Sequence, residues 1–197
     1  MKAHVLFSGG KDSSLSAILL DPFFDIELVT CTFSILPVGD IAKVTADELG
    51  FSHRVLELDR TILETALNII IEDGYPKNAI NFIHKNVIET LAKEDAVSVI
   101  ADGVRRDDRV PRLTDPEIRS IEDRFGVKYI CPLQGYGRSA VNMLVEKHLV
   151  IDEGQSDSIA KADYETELRE LIRQQYGNEK VIDIFPQHLQ SRVLKRI

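Results

Sequence analysis

Five short runs of apolar and β-branched residues are separated by longer stretches with helical period: HVLFS (4–8), IELVTCTF (26–33), RVLEL (54–58), AVSVIAD (96–102) and VKYICPL (127–133). Runs that stay apolar along their length suit strands buried on both faces, and their alternation with helices is the pattern of a parallel sheet. The chain is therefore expected to be an α/β protein built on a doubly wound, five-stranded parallel sheet. Its 197 residues suffice for one domain with a real core.

Helices are read at 13–20, 41–49, 60–73, 77–94, 114–126 and 138–148. Gly50, Gly74 and Gly126 stand where three of them should stop, and Pro76 precedes the fourth. Within that fourth helix Ile80, Ile83, Val87, Ile88 and Leu91 share one face. Thr114, Pro116 and Glu117 form a helix-start signature. Beyond residue 148 the alternation ends, and 157–175 and 187–195 read as further helices. The expected organisation is a sheet domain over 1–150 and a C-terminal helical extension over 151–197 packed on it.

Hydrophobic residues make up 44% and charged residues 28%, as in soluble globular chains. A net charge of -8 gives generic nucleic-acid or anionic-membrane binding no support, although a local basic patch stays open. No apolar run approaches the roughly 18 residues of a spanning helix, and VLF is too short for the core of a signal peptide. No membrane partner is expected, and the location is read as cytoplasmic. Cys31 and Cys131 belong to no CxxC, which argues against structural zinc. His53, His84 and His148 share no metal-ligand spacing.

The chemistry concentrates in SGGKDSS (8–14), which follows a strand and opens a helix. Gly9 and Gly10 let the backbone turn sharply and bring its N–H groups close to a ligand. The unpaired first-turn N–H groups of a helix, with the positive end of its dipole, attract an anion. Ser8, Ser13 and Ser14 add hydroxyls and Lys11 adds a point charge. Asp12 conflicts with phosphate unless a Mg2+ takes oxygens from both. Its other reading is a helix cap that accepts the N–H groups of Ser14 or Leu15. Spacing excludes a Walker loop, since Asp12 follows Lys11 and position 5 is not glycine, and it excludes the GxGxxG dinucleotide fingerprint.

SGGKDS in this context, with TCTF (30–33) at a second strand end and ADGVRRDD (101–108) after a fourth strand, resembles the PP-loop, or N-type, ATP pyrophosphatase superfamily (adenine nucleotide alpha hydrolase-like). The likeness spans about residues 3–148. It implies ATP lying across the carboxyl ends of strands one and four. Phe7, Ser8, Gly9, Gly10, Lys11, Asp12, Ser13 and Ser14 would hold it, with Thr32 and Phe33 at the adenine and Gly103 close to the adenosine. It also implies Mg2+ on Asp12 and Asp107, and a catalytic set of Lys11, Asp12 and Asp108. The implied reaction is attack of a substrate oxygen on the α-phosphate of ATP with loss of pyrophosphate, then displacement of AMP by a nitrogen or sulfur nucleophile.

Several secondary candidates each carry a plainer alternative. Arg105 and Arg106 could hold phosphate or an acidic substrate, or belong to a self-paired charged loop. Arg138 in QGYGRSA is a second anion contact or part of an ordinary strand-to-helix turn. Cys131, at the end of strand five, is a candidate sulfur carrier, whereas Cys31 reads as a small core residue. FPQHLQSRVLKR, with His188, Arg192, Lys195 and Arg196, is either a basic face for RNA or the solvated side of a last helix. The acceptor is left as tRNA or a small acid, and homodimerisation is left open. The competing class is a non-catalytic adenine-nucleotide sensor module of the same sheet architecture.

Overall fold

The computed structural model describes residues 1–155, 159, 161–185 and 189–197. Its first eleven elements are β1 (Lys2–Leu6), α1 (Lys11–Leu20), β2 (Asp25–Thr32), α2 (Val38–Leu49), β3 (Ser52–Glu57), α3 (Arg60–Asp73), α4 (Lys77–Ala92), β4 (Val99–Ala101), α5 (Asp115–Phe125), β5 (Lys128–Ile130) and α6 (Arg138–His148). After them come β6 (Leu149–Gln155), α7 (Tyr164–Tyr176), α8 (Asn178–Ile184) and β7 (Leu189–Arg196). The five-stranded sheet runs β3-β2-β1-β4-β5 with every pairing parallel, so the expected doubly wound sheet is the one that forms.

The inner strands β1, β2 and β4 bury both faces because their alternate residues are apolar on both sides, whereas the edge strands β3 and β5 are partly exposed. In β1 and just beyond it, Ala3, Val5 and Phe7 join one core cluster and Leu6 the other, while β2 divides Ile26 and Leu28 from Val29 and Cys31. The first face is covered by α1, α2 and α6, the second by α3, α4, α5, α7 and α8. Leu63, Ile70, Ile83 and Leu91 are fully buried under the second layer. Each such side chain contributes about 1.5–3 kcal/mol of transfer free energy. Local signals set the helix limits: the Asp59 carboxylate accepts the N–H of Thr61 at 2.8 Å, and Thr114 and Glu117 close a capping box ahead of α5.

The C-terminal segment departs from the expectation. Residues 189–195 are not helical; they lie in β7, antiparallel to β6 in a separate two-stranded ribbon. Ser191 and Val193 are buried while Arg192 and Leu194 face solvent, a period of two that a strand satisfies and a helix cannot. Residues 187 and 188, and the first residues of the expected 157–175 helix, fall outside the described residues; helix is described from Tyr164. The C-terminal region is thus mixed, with α7 and α8 on one face of the sheet and Val193 of the ribbon in the core of the other. Among the described residues no helix is long and apolar enough to cross a membrane.

Candidate functional site

The strand order reverses between β1 and β4, and open α/β sheets bind ligands in the crevice at the carboxyl ends of such strands. The glycine turn leaves β1 at that place. Gly9 has φ 73°, in the left-handed region open to glycine, and Gly10 is the N-cap of α1 with no side-chain acceptor capping it. Ser8 Oγ accepts the Gly10 N–H at 3.4 Å and lies 3.4 Å from Ser13 Oγ, while Ser14 Oγ donates to the Gly10 carbonyl at 2.9 Å. Asp12 is the second residue of α1, so it is not the cap. One of its carboxylate oxygens, Oδ1, is buried without any hydrogen-bond partner.

A cavity of about 370 Å3 opens from this turn, within the range of small-molecule sites. Ser8, Asp12 and Ser13 line one end, and Leu6, Val29 and Cys31 form an apolar wall. Asp12, Asp102, Asp108, Asp163 and Glu165 line it against the cations of Arg105 and Lys161. Three of these carboxylates already serve the fold. Asp163 caps α7 by accepting Thr166 N–H at 2.9 Å, Glu165 pairs with Arg169 at 2.8 Å, and Asp102 accepts from Tyr129 and Val104 and faces His84. The other two flank Arg105: Asp108 accepts its backbone N–H at 2.8 Å and its Nε at 3.1 Å, whereas Asp12 Oδ2 lies 3.7 Å from Nε. Burial pushes the Asp12 carboxyl above the usual carboxylate range, with Arg105 opposing and Asp108 reinforcing the shift.

In the cavity wall lies a polar network, centred on His84 and Asp102, to which the sequence assigned no role. His84 of α4 places Nε2 3.2 Å from Asp102 Oδ2 and Nδ1 2.6 Å from the Tyr164 hydroxyl. Tyr129 donates a short hydrogen bond to Asp102, and Val104 N–H adds another at 3.0 Å. A proton on His84 Nε2 and donation from Tyr164 to Nδ1 satisfy every member. Burial raises the Asp102 carboxyl, but His84, Tyr129 and Val104 outweigh it and hold the group below its ordinary range. A signal for His84 was present: it falls between Ile80 and Ile88 on the apolar stripe of α4.

The remaining expected residues divide between cavity and scaffold. Phe7 and Gly103 line the cavity. Lys11 is buried, and its Nζ lies 2.8 Å from Glu153 of β6, while Lys161 stands over Gly10 in the cavity wall. Thr32 and Phe33 lie under α7, where Thr32 Oγ1 donates to the buried Glu167 carboxylate at 3.1 Å and Phe33 N–H at 2.9 Å. Asp107 accepts the Arg138 N–H at 2.8 Å at the start of α6, and that bond lowers its carboxyl below the usual range. Arg106 and Arg138 are exposed outside the cavity wall. Cys131 is half-buried beside Asp102 and Tyr129, and burial with the Asp102 charge drives its thiol far above the ordinary range. Cys31 is pushed up to about 12 by burial. Among the described residues no group of three His, Cys, Asp or Glu side chains is arranged to hold a metal by itself.

Gly103 fixes how closely β4 approaches the turn. A Cβ there would stand 2.7 Å from Ser13 N and 2.8 Å from the Asp12 carbonyl carbon, both backbone atoms of α1. Gly103→Ala is expected to destabilise the protein by about 1–3 kcal/mol, as overpacking does, and urea denaturation measures it. An unchanged midpoint would show that α1 can move aside.

These features define a class: a doubly wound α/β protein with a glycine turn opening a helix and an acid-lined cavity at the switch point of its sheet. The chain belongs to the family of unknown function DUF7411, which matches residues 1–195. It is 44% identical over 195 residues to the uncharacterized protein MJ0690 of Methanocaldococcus jannaschii, covering 98% of this chain and 96% of that one. A crystal structure described as a predicted subunit of tRNA methyltransferase, also from M. jannaschii, superposes with a TM-score of 0.91 at 43% identity, over 100% of this chain and 98% of the other. The U34-tRNA thiolase NcsA of Methanococcus maripaludis, solved with its [4Fe-4S] cluster, shares the fold at a TM-score of 0.51 and 16% identity, over 93% of this chain and 70% of that chain.

Proposed function

We propose that the chain is an ATP pyrophosphatase of the PP-loop type that adenylates an acceptor, and that the acceptor is a tRNA. The observation that carries this reading is the buried, unpartnered Asp12 oxygen at the mouth of a glycine turn that opens α1. A polar atom left unsatisfied there costs about 1–3 kcal/mol, which is consistent with a ligand completing the site. The tRNA choice draws on the two neighbours whose descriptions name tRNA modification.

The residues fit a Mg2+ shared with phosphate. Asp12 keeps an unpartnered oxygen at the cavity, Asp108 beside it is shared with Arg105, and Mg2+ typically takes one or two carboxylates plus phosphate oxygens. The cation would offset the acidic lining and neutralise charge on the departing pyrophosphate. Ser8, Ser13 and first-turn N–H groups of α1 other than that of Lys11 bind phosphate oxygens, and Arg105 beside Asp12 and Lys161 over Gly10 supply charge. Lys11 acts from behind the turn, its field stabilising the ionised Asp12 while Glu153 holds it. The acceptor oxygen bonds to the α-phosphorus as the bond to the β-phosphate oxygen breaks, and pyrophosphate leaves. A nitrogen or sulfur nucleophile then displaces AMP.

Incubation with ATP, Mg2+ and a tRNA pool, then with a pool of small carboxylic acids, tests this reading by identifying the nucleotide product. AMP and pyrophosphate formed only with tRNA are expected. ADP would overturn the reaction class, AMP formed with the acids would overturn the tRNA choice, and tight ATP binding without turnover would turn the reading to a sensor.

A further inference from the structure

The loops after β4 and β5 leave the sheet side by side, tied by the Arg106 N–H donating to the Tyr136 carbonyl at 3.0 Å. Together with the start of α6 they carry five arginines. Arg105 is engaged by Asp12, Asp107 and Asp108. Arg106, Arg109, Arg112 and Arg138 are exposed, and among the described residues none of them forms an ion pair. Several other surface cations are matched, Lys43 with Asp47, Arg60 with Glu64, Lys85 with Glu117, Arg124 with Glu89 and Arg192 with Asp152, while exposed cations without an ion pair among the described residues, such as Lys77, Lys93, Arg119, Lys128, Lys147 and Lys195, are dispersed over different elements. In a chain of net charge -8, what sets the rim apart is that four exposed arginines without an ion pair are gathered in two adjacent loops and the start of α6.

Backbone carbonyls hold some of these side chains. Arg106 donates to the Gly135 carbonyl at 3.4 Å and Arg112 to the Arg106 carbonyl at 3.5 Å, while Asn81 fixes the Arg112 N–H at 2.9 Å. Tyr136, 41% exposed, stands in the second loop. Directly inside, Arg105, Asp108, Val110 and Pro111 line the cavity. A small acid would be met by Arg105 within the cavity and would leave the outer four unused. Several separated arginines beside an exposed aromatic ring match a polymer with repeated phosphates and unstacked bases.

We infer that this rim docks the phosphodiester backbone of an RNA loop, with Tyr136 stacking on an unpaired base, and presents a neighbouring nucleotide to the cavity. The choice of RNA as the polyanion rests on the adenylation reading; the docking surface rests on the rim alone.

Fluorescence anisotropy without nucleotide tests it, using a labelled RNA hairpin with an unpaired loop and a blunt RNA duplex of the same stem. The wild-type protein should prefer the hairpin. Changing Arg106, Arg109 and Arg112 together to Ala should weaken hairpin binding at least ~10-fold and reduce the slope of log affinity against log salt by about 2, at roughly 0.7 per phosphate contact. Tyr136→Ala should cost about tenfold on the hairpin with no change in salt slope and no effect on the duplex. All four positions are exposed, and an unchanged thermal melt confirms the fold of each variant. Equal affinity for hairpin and duplex, or variants that bind as the wild type does, would overturn the rim. Normal hairpin binding by rim variants alongside tRNA-dependent AMP release leaves adenylation standing and removes the rim. Lost hairpin binding in a protein that makes no AMP does the reverse.

Discussion

Asp12→Asn is expected to abolish tRNA-dependent AMP release, by about 100-fold or more, while leaving the protein more stable than the wild type. The two effects have one cause. The Asp12 carboxylate is buried with Oδ1 unpartnered, and its pKa is raised first by that burial. A carboxyl whose folded-state pKa lies above its unfolded value opposes folding while ionised, and stability returns as pH falls through the folded pKa. The amide removes the charge at every pH, so the variant should gain about 1 kcal/mol at neutral pH and lose the upward trend toward acid. Urea unfolding at neutral and mildly acidic pH reads the second effect, and a pyrophosphate assay reads the first. A destabilised Asp12→Asn would mean that the carboxylate is a structural member of the Arg105 pair.

Asp102 carries the largest stability effect in the opposite sense. It receives His84, Tyr129 and Val104 while itself nearly fully buried, so Asp102→Ala leaves three buried donors unmatched. A loss of about 3–5 kcal/mol is expected, as when one partner of a buried pair is removed. The folded-state pKa of Asp102 lies below its ordinary value. Its contribution is therefore complete above the unfolded carboxyl pKa of about 3.9 and is lost as pH falls through the folded pKa. Acid unfolding of the wild type should show that loss, and Asp102→Ala should show a correspondingly flatter acid limb. A cost under about 1 kcal/mol would place the network outside the structural core.

The sheet was legible because its evidence is periodic and local. Apolar runs of strand length, and glycines at Gly50, Gly74 and Gly126, set β1 to β5 and the helices between them within a few residues. The ribbon was not legible. LQSRVLKR holds residues at home in helices, and the partner that makes it a strand, β6, begins some 40 residues earlier. Contiguity also decided what could be seen of the site. The turn at 8–14 lies in one stretch of sequence, and so do its backbone geometry and hydroxyls. Lys161, Glu167 and the His84–Asp102 pair come from distant segments and meet only in the folded chain. Thr32 and Phe33 do stand at a strand end, but Glu167 takes their donors, and no feature of TCTF announces that partner.

The covering of the turn by β7 bears on when the site comes into being. Val193 N–H donates to the Gly9 carbonyl at 3.1 Å, and Lys11 N–H reaches Ser191 Oγ at 3.4 Å across 180 residues of chain. Contacts so far apart in sequence close late, because the entropy of a long loop must be overcome first. On a ribosome residues 8–14 would emerge well before β7, and the turn would stay open to water until that strand arrived. The covered form of the turn therefore exists only once β7 has been made.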